Sequence, residues 1–109
     1  MGIATSQVNN AVGIVNRTIQ AFTTDAVAAA DTTFNFGFKP RLVQVINLTD
    51  RISDEWYEGM AANSVLHTVA AGTRTVDTNG LIAVNADGTV TLKAAVMVAS
   101  KSFVIVAEG

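Results

Sequence analysis

GFKPRLVQVINLTDRISDEWYEGM, residues 37–60, holds the only Pro, the only Trp and the only Tyr of the chain. Gly37 ends whatever precedes it, and the Pro40 ring fixes φ at roughly −65°, which presets a turn. The next eight residues, RLVQVINL (41–48), are β-branched or apolar on both faces except at Gln44 and Asn47. A strand of that kind belongs in the middle of a sheet or beneath an interface. Thr49-Asp50-Arg51 turns the chain, and residues 53–60 then alternate Glu55, Tyr57 and Gly59 against Asp54, Trp56 and Glu58. One run therefore reads as turn, central strand, turn and aromatic strand. Trp56 is expected as an anchor of the core, because its ring can bury as much as ~200 Å².

Toward the C-terminus the same grammar repeats. VLHTVA (65–70) and TRTVD (73–77) read as short strands flanking Ala71-Gly72. Asn79-Gly80 and Asp87-Gly88 tolerate the positive φ that tight hairpins demand. Residues 81–85 and 89–93 then form the best-patterned hairpin, with Ile82, Val84, Val90 and Leu92 on one side. Residues 96–99 and 103–107 read as a last apolar strand pair joined at Ser100-Lys101-Ser102. Toward the N-terminus, residues 32–36 set Phe34 and Phe36 on one face, and DAVAAAD (25–31) is too short to nucleate a helix and reads as a loop or single turn. Residues 17–24 alternate as a first strand. Residues 1–16, MGIATSQVNNAVGIVN, show neither period and read either as a frayed terminus or as an arm whose apolar residues find pockets on a neighbouring chain. Short strands at about ten-residue spacing, without a convincing helix, imply an all-β fold: an antiparallel β-sandwich or small β-barrel with an extended N-terminal arm. The domain plan is an arm over residues 1–16 and a single β domain over 17–109.

Composition narrows the function classes. The chain has 109 residues, 50% hydrophobic and only 15% charged, against about 25% charged in ordinary domains. Folding a chain of this length hides roughly 65% of its extended surface. Apolar side chains thus exceed what one small core covers, and association with a neighbour is expected. Absence of cysteine removes disulfides and thiolate chemistry. A net charge of −2 gives no basic footprint, so no nucleic-acid partner is expected. No apolar run approaches the ~18 residues of a spanning helix, and no membrane partner is expected. MGIATS fits the myristoylation pattern at Gly2, but six permissive letters match readily by accident.

Residues able to carry chemistry are few. Asp50, Asp54, Glu55 and Glu58 form the only acidic group, and with Arg51 as counter-charge they read as a solvated strand edge. Residues 84–88, VNADG, fail as a calcium loop, because Ala83 and Ala94 stand where its end ligands belong. His67 is the only histidine and, lacking a second soft ligand, reads as structural. No nucleophile elbow or phosphate loop is present. The expectation is no enzyme, no cofactor, no metal and no catalytic residue.

The motifs in residues 37–60, followed by AAGTRT (70–75) and a closing SFVIVAEG (102–109), resemble small virion structural proteins of tailed bacteriophages. The matched positions include Gly37, Phe38, Pro40 and Arg41, then Glu55, Trp56, Glu58, Gly59 and Met60, then Gly72, Thr73, Arg74 and Thr75. The resemblance covers about two-thirds of the chain and leaves residues 1–31 outside it. It implies a capsid decoration or cement protein: a viral structural protein that sits on the capsid exterior after synthesis in the bacterial host cytoplasm. Its partners would be the major capsid protein and its own copies, as a homo-oligomer and most simply a homotrimer. The alternatives are a head-fibre or tail component, or a carbohydrate-binding or adhesin-type module. Interface candidates are Ile3, Val8, Val12, Ile14 and Val15 of the arm, with Arg41, Val43, Val45, Trp56 and Tyr57 of the domain.

Overall fold

The computed structural model describes residues 16–109, and the expected arm up to residue 15, with Ile3, Val8, Val12, Ile14 and Val15, lies outside the described residues. Nine strands are present among them: β1 (Arg17–Thr23), β2 (Thr32–Phe34), β3 (Leu42–Asn47), β4 (Ile52–Tyr57), β5 (Val65–Thr68), β6 (Arg74–Asp77), β7 (Ile82–Val84), β8 (Val90–Leu92) and β9 (Ser102–Glu108). They form two sheets, one of six strands in the order β1-β9-β3-β4-β5-β6 and one of three in the order β2-β8-β7. Every pairing is antiparallel. The fold is an all-β sandwich, with no helix among the described residues.

The 37–60 stretch takes the central place its pattern implied, because β3 lies between β9 and β4. Alternation along β3 buries Val43, Val45 and Asn47 and leaves Leu42, Gln44 and Ile46 half-buried on the other side. β9 alternates in step, burying Phe103, Ile105 and Ala107. These inner rows meet Ile82, Val90 and Leu92 of the β7–β8 hairpin to make the core. Gly88, at φ +90, makes the turn between β7 and β8.

All five phenylalanines join the two layers along one side. Phe103 of β9 stacks on Phe22 of β1 at 5.3 Å, and Phe22 leans on Phe34 of β2 at 5.6 Å. Phe34 stacks on Phe36 at 6.0 Å, and Phe36 leans on Phe38 at 6.3 Å. Aromatic pairs at these spacings add to plain area burial.

Two expectations are corrected. Residues 96–99 do not form a strand: both edges of β9 are already paired, with β1 and β3, so no open ladder remains for them. The segment instead turns back, with Val96 N–H and Met97 N–H donating to the Lys93 carbonyl, and inserts Val96 and Met97 into the core. Asn79-Gly80, read as a hairpin signal, carries the chain from β6 in the large sheet to β7 in the small one. Gly80 still needs its positive φ of 69°, and its N–H donates to the Asn63 carbonyl.

Candidate functional site

Two features stand out, on opposite faces of the six-stranded sheet. The three-stranded sheet covers one face only. The register places the other set of side chains together: Ile19 opposite Val106 and Ala21 opposite Val104 across β1 and β9, and Val104 opposite Ile46 across β9 and β3. Leu66 lies opposite Val76 across β5 and β6. The inner strands leave these residues half-buried, and the edge strands leave Ile19 62% and Val76 64% exposed. The outer face is therefore apolar over β1, β9 and β3, and apolar again at its far edge.

A hydrogen-bonded chain of polar groups crosses this face between the two apolar areas. Gln44 Nε2–H donates to the Tyr57 hydroxyl at 3.2 Å, and that hydroxyl donates to Glu55 Oε2 at 2.6 Å. Arg74 reaches Glu55 Oε1 at 3.3 Å from β6, and its Nε–H donates to the Thr68 hydroxyl. The Glu55 carboxylate raises the Tyr57 pKa above its ordinary 10.0, since ionising the phenol would lose that bond and oppose a like charge. Arg41 and Glu58 pair at 3.4 Å at the end of the β3–β4 hairpin, where both are exposed. The three sequence motifs thus converge: Arg41 meets Glu58, and Arg74 meets Glu55.

On the inner face, Val43 and Val45 are 0% and 1% exposed. They are corrected from interface candidates to core residues, because side chains so enclosed cannot meet a partner. Trp56 sits opposite Val43 on the same inner face and is half-buried against the core. Tyr57, one residue on, points to the outer face, and Arg41 is exposed at the hairpin end. The reading of the acidic group as a solvated edge is also corrected. Asp54 is only 4% exposed, opposite His67 of β5, with His67 Nδ1 2.6 Å from Asp54 Oδ1. Burial raises the Asp54 pKa above its ordinary 3.8; the His67 hydrogen bond and charge act in the opposite direction, and Asp77 adds to the rise. Asp50 is held instead by Asn47, which both donates to its carboxylate and accepts from its backbone N–H, and by Lys101 at 3.1 Å.

Asp54 and His67 line a cavity of about 530 Å³ between the inner face of the six-stranded sheet and the segments that carry Asn79, Leu81, Lys93, Val96 and Val98. Sequence reasoning missed this pair. Its signal was present in the alternation that put Asp54 on the side of Trp56, but the β4–β5 register needed to bring His67 opposite was not. Among the described residues no group of three or more His, Cys, Asp or Glu is placed to hold a metal ion. Comparison with known proteins finds no match: no family model, no curated protein and no solved structure.

Proposed function

We propose that this chain is a structural subunit of a tailed-bacteriophage virion, a capsid decoration protein that stabilises the assembled lattice of the major capsid protein. The observation that carries the reading is the outer face of the six-stranded sheet, uncovered among the described residues, apolar along β1, β9 and β3 and crossed by the Gln44–Tyr57–Glu55–Arg74 network. A face of this kind in a chain with few charges is suited to burial against a neighbour. Copies meeting along the outer side of β3, at Leu42, Gln44 and Ile46, would form the homo-oligomer, taken here as a cyclic trimer. Binding only the assembled lattice, it raises lattice stability by mass action at every site.

A carbohydrate-binding module would need aromatic side chains arrayed together for a sugar ring. The chain's Trp56 and Tyr57 lie on opposite faces of β4, and the Tyr57 hydroxyl is engaged by Glu55 and Gln44. The geometry favours association over sugar stacking.

Purified virions of the phage that carries this sequence test the reading, by cryo-electron microscopy with quantitative mass spectrometry. The expected result is density for the two-sheet domain on the outer capsid surface, in a copy number commensurate with the capsid lattice. Absence of the protein from the virion would overturn it, and density confined to the tail would replace decoration by a tail role.

A further inference from the structure

We propose that the cavity on the inner face of the six-stranded sheet is a binding site for a small organic ammonium ion, a primary amine carried on a compact apolar body. This inference is independent of the virion reading. At about 530 Å³ the cavity lies within the range of small-molecule sites, about 300–1,000 Å³. Its deep wall is apolar, formed by Val45, Leu81, Val96 and Phe103, all less than 9% exposed. Its polar wall is formed by Asp54, His67 and Asp77.

The polar wall offers acceptors and few donors. Asp54 Oδ1 is taken by His67, while Oδ2 has no hydrogen-bond partner among the described residues. No fully enclosed side-chain oxygen lacks a partner there, so Oδ2 must reach open space, and the space that Asp54 lines is the cavity. Lys101 Nζ and Asn47 Nδ2 are directed at Asp50, and Lys93 Nζ directs one of its three N–H groups to the Asn79 carbonyl at 2.6 Å. With Asp50 paired to Lys101, the other two carboxylates of the lining, Asp54 and Asp77, face one lysine, Lys93. An anion would meet like charge, and a neutral apolar molecule would leave Oδ2 without a partner. An ammonium ion supplies the missing donor and a compensating charge, and charge-assisted bonds of this kind are the strong ones.

The test is titration of the full-length ¹⁵N-labelled protein at neutral pH, followed by amide chemical shifts, with benzylamine, benzyl alcohol, benzoate and glucose as probes. Benzylamine is expected to give saturable shifts at Val45, His67, Leu81 and Phe103, with each other probe at least about tenfold weaker, as loss of a charged hydrogen bond requires. Asp54→Asn should weaken benzylamine about tenfold or more while keeping the amide dispersion of the folded chain. If Asp54→Asn does not fold, Asp77→Asn takes its place and should weaken benzylamine. No saturation by benzylamine, equal binding of the alcohol, a preference for benzoate or glucose, or an unchanged affinity in the folded variant would each overturn the proposal.

Discussion

Phe103→Ala removes the ring that ties the central strand pair to the small sheet. Phe103 is 1% exposed, stacked on Phe22 at 5.3 Å with an interplanar angle of 11°, and also lines the cavity that holds Asp54 and His67. Truncating a buried Phe costs about 3–5 kcal/mol. The existing cavity beside it leaves little to collapse into the new void, so the upper half of that range is expected. About 0.5–1.5 kcal/mol of the total should belong to the aromatic pair. A domain with ~5–15 kcal/mol of stability would remain folded but marginal. With m of about 2 kcal/mol/M in urea, the midpoint should fall by about 2 M. Equilibrium unfolding of Phe103→Ala, Phe22→Ala and the double variant gives both the loss and the coupling. A loss below about 1 kcal/mol, or no coupling between the two sites, would refute the packing of the two sheets through this aromatic line.

Trp56→Ala should also destabilise the isolated domain, but by less than Phe103→Ala, because Trp56 is only half-buried against the core; a larger loss, read by the same urea unfolding, would contradict the burial order. Because the folded-state pKa of Asp54 is raised above 3.8, the native state holds the proton more tightly than the unfolded chain between the two values. Its contribution is therefore fully present below about pH 3.8 and lost as pH rises through the folded pKa. The stability of the wild type relative to Asp54→Asn should accordingly fall as pH rises through that acid window, and a rise would contradict the dominance of burial over the His67 pair. Tyr57, the only tyrosine, should ionise at lower pH in Glu55→Gln than in the wild type by ultraviolet absorbance, since Glu55 is the main cause of its raised pKa; an unchanged transition would break the outer-face network.

Strand positions were legible because alternation and turn chemistry are local. The apolar run at β3 and the hairpin of Ile82, Val84, Val90 and Leu92 each announce a strand whatever its partner. What required the fold was pairing. Residues 96–99 look like a strand and are denied one, because β1 returns to occupy the free edge of β9 across a long separation in sequence. Asp54 reads as a surface acid until β5 brings His67 opposite it. Val43 and Val45 could not be told from Leu42 and Ile46 as core or surface, since β3 is apolar on both faces and only the position of the small sheet decides between them. The Arg74–Glu55 contact joins residues two strands apart in the sheet and was visible only as two separate motifs.

The central claim is that the outer face of the six-stranded sheet is a surface for association. Sedimentation velocity on the full chain, wild type beside the double variant Ile19→Lys and Val106→Glu, tests it most directly. Ile19 is largely exposed and Val106 half-buried on that face, and as cross-strand partners they would set opposite charges side by side, so the core and the urea midpoint should be nearly unchanged. The expected result is an oligomer for the wild type, a trimer of the 11.4 kDa chain, and a monomer of native stability for the variant. A wild type that stays monomeric at all concentrations, or a folded variant that assembles as the wild type does, would contradict the claim.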